Sequence, residues 1–254
     1  MLPIFFLIFI LGASFGSFFS LFYRRRERGE DFILKKSYCE SCNRKLKFFD
    51  LVPIFSYIKN RGTCKYCGSK IPRDLLYFEI IYGLIFLLNL SLYGLTINFI
   101  IRSLEISLLF LISYTDLKTG YIYTMDNIFL FILEIVFQII NKINIFASLK
   151  FGLIFFGIFL LIHLLTRAMG FGDVELSLVG GFFARDFFSL LRIFTSSFTL
   201  AACFGLILIF FRKKSLKESL PFGPFLALGI LIEIVLGENL WRFYTFIWKV
   251  VTFT

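Results

Sequence analysis

The apolar residues of this chain arrive in runs of the length that crosses a membrane. A helix needs about 20 mostly apolar residues to span the hydrocarbon core, and runs at or near that length occupy residues 3–22, 75–92, 97–114, 127–140, 149–165, 187–211 and 222–236. An eighth run, 174–183, is about half a span long. Hydrophobic residues make up 58% of the sequence, 38 residues are Phe and only 17% are charged, which excludes an ordinary soluble domain. The first run has no basic residue ahead of it and is followed by Arg24, Arg25 and Arg26. It therefore reads as a retained anchor and not as a cleaved signal peptide.

Orientation follows from the basic residues. Of the 27 Lys and Arg, 14 lie between Arg24 and Arg73 and four more between Arg212 and Lys217. Together with Lys118 and Arg167 they mark one face, which the positive-inside rule makes cytoplasmic, with the N-terminus outside. For Asp173 and Lys213 to share that face, the short 174–183 helix must pair with the next one as a hairpin. About eight membrane helices result, the sixth of them short. The stretch 241–254, with two Trp, a Tyr, Arg242 and Lys249, suits an aromatic belt at the outer surface.

A net charge of +10 is compatible with nucleic-acid binding, but most of the excess sits in the loop that topology alone makes basic, and no nucleic-acid motif is present. No nucleic-acid partner is expected. Anionic lipid head groups are, at about 1 kcal/mol per well-placed basic residue.

Two aspartates stand at the cytoplasmic ends of apolar helices: Asp116, and Asp173 within Gly170-Phe171-Gly172-Asp173. Charge at membrane depth costs roughly 2.5 to 3.5 kcal/mol on insertion scales, so a matched pair points to function, and specifically to aspartyl hydrolysis within the membrane. One carboxylate takes a proton from water while the other gives one to the substrate carbonyl oxygen and then to the leaving amine. Two carboxyls about 3 Å apart share one proton and titrate as a pair. Helix dipoles suggest an asymmetry: Asp173 precedes a helix and is expected as the charged partner, whereas Asp116 follows one and is expected protonated. Gly170 and Gly172 are expected to let an extended peptide backbone approach the pair.

The basic loop carries Cys39-x-x-Cys42 and Cys64-x-x-Cys67, separated by 21 residues. This spacing fits a four-thiolate tetrahedral site, and Gly68 permits the left-handed turn such a knuckle often uses. Disulfides are the alternative, disfavoured in a reducing cytoplasm. Zinc is expected to be structural, holding together a domain with too little core of its own. The organisation anticipated is all-α polytopic: a first membrane helix over 1–23, a zinc-binding cytoplasmic domain over 24–74, and a membrane aspartyl protease domain over 75–254.

Other polar residues have plainer readings. His163, the only histidine, is expected to pack or hydrogen-bond within the bundle, and Cys203 to pack. Glu105, Glu134 and Glu233 are expected to pair or to face interior water. Glu79, one turn inside its span, is placed to tie the zinc loop to the membrane helices. Gly12 and Gly16 form a helix-packing face.

The motifs, taken in order, are Gly12-Ala13-Ser14-Phe15-Gly16-Ser17, the two Cys pairs around Asp50-Leu51-Val52-Pro53, Asp116-Leu117-Lys118, Gly170-Phe171-Gly172-Asp173 and Pro221-Phe222-Gly223-Pro224. This set resembles the bacterial type IV prepilin leader peptidases along nearly the whole chain. The resemblance implies a bifunctional enzyme of the bacterial inner membrane. It would cleave the basic leader of prepilins or pseudopilins at the cytoplasmic face, then N-methylate the new N-terminus from S-adenosylmethionine. It implies Asp116 and Asp173 as the catalytic pair, Gly170 and Gly172 as their supporting motif, and Cys39, Cys42, Cys64 and Cys67 as the metal site. Because the leader is basic, the basic loop cannot attract it by charge, and the substrate's apolar segment is expected to enter laterally between helices.

Two departures stand out. The family's usual Lys two residues after the second Asp is Glu175 here, expected to lie near the pair and alter its titration. The family's Ile-Pro-Asn or Ile-Pro-Asp is Ile122-Tyr123-Thr124. Two rival classes, a transporter and a non-enzymatic zinc-ribbon scaffold, explain either carboxylates at membrane depth or the cysteines. A transporter would place its sites near the midplane of repeated halves, and a scaffold would not need the aspartates.

Overall fold

The computed structural model describes residues 2–30, 37–167, 169–211 and 220–237. The basic run at 212–217 and the aromatic stretch at 241–254 lie outside the described residues. Among the described residues every regular element is helical, and extended backbone pairs only in two isolated antiparallel bridges, Tyr38 with Lys45 and Thr63 with Lys70.

The helices are α1 (Leu2–Glu27), α2 (Phe55–Lys59), α3 (Arg73–Tyr93), α4 (Ile97–Thr119), α5 (Thr124–Ile140), α6 (Ile145–Thr166), α7 (Phe171–Phe182), α8 (Phe187–Phe210) and α9 (Gly223–Ile232), the last running into a π-helical turn, Glu233–Gly237. Five of them, α1, α3, α4, α6 and α8, are long and apolar enough to cross a membrane. At about 1.5 Å per residue, α5, α7 and α9 are shorter than the roughly 30 Å hydrocarbon core. All eight apolar stretches read from the sequence are therefore helical, but only five have spanning length.

The chain forms two compact units, residues 1–103 and 104–254, with the boundary inside α4. In the first, α1 packs on α3 through small residues. A Cβ on Gly12 would come within 2.6 Å of the Tyr82 carbonyl oxygen, and one on Gly16 would collide with the Phe78 carbonyl. This is the packing face expected from the glycine spacing. Beside it, Phe86, Leu90 and Phe99 form a buried cluster backed by Ile8, Phe15, Ile85 and Tyr93.

In the second unit, α7 is buried along most of its length, and Leu176, Phe182, Phe155, Phe159, Ile193, Leu226 and Ile230 make its core. The rings of Phe159 and Phe198 pack on Phe222 at centroid distances of 5.8 and 4.9 Å, which fixes the residue immediately before α9. Aromatic pairs at such spacings add about 0.5 to 1.5 kcal/mol each beyond area burial.

Buried polar groups pair across helices. Gln138 Nε2 donates to Glu134 Oε1 at 2.9 Å and to the Phe182 carbonyl at 3.0 Å, tying α5 to the end of α7. Arg192 grips Glu233 with two hydrogen bonds of 2.9 and 2.8 Å. Glu134 and Glu233 are thus paired, as expected. His163 Nδ1 donates to the Met169 carbonyl at 2.7 Å, closing the turn before α7. Cys203 differs from expectation: it is exposed on α8, on a face that apolar Phe204, Leu206 and Ile207 share, and so does not pack in the core.

Candidate active site and metal centre

Asp116 occupies the last turn of α4, which runs one turn further than the apolar pattern suggests, to Thr119. Asp173 lies inside the first turn of α7, because that helix begins at Phe171 and not after the aspartate. The Gly170 N–H donates to Asp173 Oδ2 at 3.2 Å, a first-turn arrangement in which the carboxylate satisfies a helix-end donor. Both side chains are buried, with 6% and 7% of their surface exposed. Gly172, next to Asp173, and Gly223, which donates to Asp116, both lie against Ile122, so the structure brings the two expected residues to one place.

A third element completes the arrangement. Gly223, the first residue of α9, donates its N–H to Asp116 Oδ2 at 3.0 Å across 107 residues of sequence. Asp116 therefore faces a helix N-terminus as well as ending a helix. The asymmetry expected from α4 and α7 dipoles alone is offset, because each carboxylate now has an N-terminal N–H on its Oδ2. Sequence reasoning missed Gly223 as a site residue; its only signal was the Pro221-Phe222-Gly223-Pro224 string, where a proline follows and leaves this N–H as the exposed donor of the new helix.

The glycines make contacts of their own within the chain. Gly170 has open space at its Cβ position apart from Asp173 Oδ2 at 3.5 Å, so its contribution is the N–H. A Cβ on Gly172 would lie 2.8 Å from Ile122 Cβ, and one on Gly223 would lie 2.6 Å from Asp116 Oδ2 and 2.8 Å from Ile122 Cδ1. Ile122, in the α4–α5 link, is thus clasped by both glycines. The close approach that Gly172 and Gly223 permit within this structure is of Ile122 in the protein's own chain.

Glu175 also departs from expectation. Residues 173 and 175 are about 200° apart around a helix, and Glu175 Oε2 accepts a hydrogen bond from Asn127 Nδ2 on α5 at 3.4 Å. The Glu175 carboxylate is turned to α5 and away from the pair. Beside Asn127, Asp126 is 1% exposed, a buried acid that the sequence reading passed over although an acidic residue in the first turn of an apolar helix was its signal.

The four cysteines of the loop converge. Their Sγ atoms all lie within 4.8 Å of one another, and Cys39 and Cys67 are 3.9 Å apart. Tetrahedral zinc with bonds of about 2.3 Å separates its sulfurs by about 3.8 Å, so the cluster fits the ion. The two knuckles repeat one design. The Asn43 N–H donates to the Cys39 carbonyl and the Cys39 N–H to the Arg44 carbonyl. Likewise the Gly68 N–H donates to the Cys64 carbonyl and the Cys64 N–H to the Ser69 carbonyl. Asn43 and Gly68 follow the second cysteine of each pair with φ of 55° and 72°, the left-handed turn anticipated at Gly68.

The thiols do not ionise alike. Burial opposes the Cys39 anion, yet N–H donors from Cys42 and Ser41 and the Ser69 hydroxyl bring its pKa down to about 6. At Cys42 the Arg44 N–H favours the anion, but desolvation and the neighbouring Cys39 and Cys67 push the pKa up to about 11. The Ser69 hydroxyl and N–H lower Cys67. One thiolate inhibits the next, and a bound cation removes that conflict.

Glu79 joins the loop to the helices within the first unit. Its Oε2 accepts the Ile54 N–H at 2.6 Å and its carboxylate also takes a hydrogen bond from Ser17 of α1. The tie anticipated from its position is present.

Known proteins resemble most of this chain. Residues 10–93 match the Bacterial Peptidase A24 N-terminal domain, and residues 103–210 match the Type IV leader peptidase family. The chain is 26% identical over 240 residues to a prepilin leader peptidase/N-methyltransferase of Bacillus subtilis, covering 94% of this chain and 96% of the relative. It is 26% identical over 238 residues to a protein of the same name from Legionella pneumophila, covering 89% and 82%. No solved structure matches it.

Proposed function

The chain belongs to the type IV leader peptidase family, and on that premise we propose that it is an intramembrane aspartic endopeptidase cleaving the basic leader of prepilins or pseudopilins, and an N-methyltransferase for the new N-terminus. The observation that carries the reading is the buried pair Asp116 and Asp173, each held by one helix-start N–H on its Oδ2. The neighbouring relatives' names supply the substrate class.

In the proposed reaction the pair holds one proton. The ionised carboxylate removes a proton from a water that attacks the scissile carbonyl, and the protonated one donates to the carbonyl oxygen. Collapse of the tetrahedral species passes a proton to the departing amine, which is the new N-terminus of the mature pilin. The Oδ2 anchors favour this cycle because they leave the Oδ1 atoms for the chemistry. Asp173 Oδ1 is buried and has no hydrogen-bond partner among the described residues.

Cys39, Cys42, Cys64 and Cys67 would hold one structural zinc, a reading supported by their spacing and by the closed set of four thiolates, which leaves no position for substrate. S-adenosylmethionine would supply the methyl group. Eight membrane helices, an outside N-terminus, and the zinc domain and aspartates toward the cytoplasm remain the topology we propose. It rests on the distribution of basic residues, with the protein in the bacterial inner membrane and lipids as its surroundings. The division at residues 24 and 75 is proposed on the same ground.

Mass spectrometry of a prepilin coexpressed with this protein tests both activities. The reading requires loss of the leader and gain of a methyl group at the new N-terminus; an intact prepilin would refute the peptidase assignment.

A further inference from the structure

A charged tier marks the head-group level in the first unit. Arg24, near the end of α1, donates to Asp74, in the first turn of α3, at 2.5 Å. Beyond that tier both helices are apolar and long enough to span. Glu79 lies five residues inward of Asp74 and Ser17 seven inward of Arg24, distances of about 7.5 and 10.5 Å along the helices. The Glu79 carboxylate takes hydrogen bonds from the Ser17 hydroxyl and, at 2.6 Å, from the Ile54 N–H. Because the Ser17 side chain is one carbon long, the carboxylate and the Ile54 backbone lie inward of the tier. The segment between the two cysteine pairs therefore turns back to membrane depth. Ile54 makes that bend with φ of 63°, a conformation that costs a β-branched residue energy and persists only where its surroundings impose it.

The segment carried to that depth presents apolar side chains. Phe48 and Phe49, in a 3₁₀ turn over Phe48–Asp50, and Phe55 and Ile58 of α2 are 60 to 79% exposed. A concentration of exposed large apolar residues marks an interaction surface. Basic residues flank it in sequence: Arg44, Lys45 and Lys47 before, Lys59 and Arg61 after. Asp50, the one acid between residues 41 and 73, is engaged by the Tyr66 hydroxyl at 3.0 Å and the Lys47 N–H at 3.2 Å.

Apolar side chains edged by Lys and Arg are the pattern of a segment lying in the membrane interface, with its apolar face about 5 to 10 Å into the boundary between head groups and acyl chains. Anionic head groups attract the basic edge. Depth favours lipid over a protein as the occupant. Phe18 of α1 and Tyr77 and Leu84 of α3 are exposed in the same way, so the segment continues the lipid-facing surface of the flanking spans.

We propose that residues 48–58 form a membrane anchor, with Phe48, Phe49, Phe55 and Ile58 inserted among anionic phospholipids just beneath their head groups. The anchor holds the four-cysteine loop on the bilayer surface. Leader cleavage plays no part in this contact.

The test uses the full chain in vesicles of equal parts phosphatidylglycerol and phosphatidylcholine. In a Trp241→Phe/Trp248→Phe background, Phe49→Trp and Ile58→Trp each place one indole in the segment, and helix content equal to wild type reports that each variant folds. Emission should be lost when the phosphatidylcholine carries bromines just beneath the head group, and less so when the bromines lie at the acyl ends. Unquenched emission at both positions would overturn the proposal: at long wavelength it would place the segment in water, at short wavelength under protein. Stronger loss to the deep bromines would overturn the interfacial placement. Wild-type chain supplies a second reading that needs no variant. A photoactivatable phospholipid with its reactive group just beneath the head group should leave adducts on peptides covering residues 48–58, and adducts confined to the spanning helices would overturn the anchor.

Discussion

The backbone N–H of Gly223 is bonded to Asp116 Oδ2 at 3.0 Å, and the same glycine has no room for a side chain, since a Cβ there would stand 2.6 Å from that oxygen. The donor and the clearance are two demands on one position. Gly223→Ala should therefore displace Asp116, and misplacement of a reacting group by about 1 Å costs on the order of 10²-fold. We expect kcat for leader cleavage to fall by about that factor at unchanged membrane abundance. Wild-type turnover in Gly223→Ala would show that the α9 N-terminus does not position the pair.

Ile122 supplies the complementary test. Gly172→Ala should crowd Ile122, and removing the neighbour's Cβ in Gly172→Ala/Ile122→Gly should recover part of the lost cleavage, because the clash is with that Cβ, at 2.8 Å. Equal losses in the single and double variants would place the effect of Gly172 elsewhere.

The zinc prediction is spectroscopic. X-ray absorption should give four sulfur neighbours at about 2.3 Å and about one zinc per chain. In metal-free protein at pH 7, Cys39, with its pKa near 6, should alkylate well before Cys42, whose pKa is near 11. The sign follows from linkage. The Cys39 value lies below that of a free thiol, so its contribution to stability is full above about pH 9 and is lost as pH falls through about 6. Equal labelling of the two thiols at pH 7 would contradict this.

Glu175 gives a prediction of no effect. With its carboxylate turned to Asn127, Glu175→Lys should leave the acidic limb of the cleavage profile where it is. A displaced limb would mean that residue 175 faces the pair after all.

Much of this arrangement was legible in the sequence because local patterns encode it. The apolar runs located the helices, the two Cys-x-x-Cys knuckles each form their own turn, and Asp116 and Asp173 were conspicuous because ionisable groups at membrane depth are expensive. What the sequence hid depends on contacts between distant segments. The Gly223 donor reaches Asp116 only once α9 is packed by Phe159 and Phe198 against Phe222. A dipole argument confined to α4 and α7 could not include α9. Residue 175 looked close to 173 in number, yet helical rotation turns it to another neighbour. Hydropathy likewise detects apolar helices without settling which of them cross: α5, read as a span, is 17 residues long, short of the roughly 30 Å core at about 1.5 Å per residue.

The most direct measurement of the central claim is leader cleavage of a coexpressed prepilin by Asp116→Asn and by Asp173→Asn, read by mass spectrometry beside the amount of each variant in the membrane. An amide keeps the side chain's shape and can still accept the Gly223 or Gly170 N–H, but it cannot cycle a proton. The account predicts intact leader with both variants at normal membrane abundance. Undiminished cleavage by either one would contradict it.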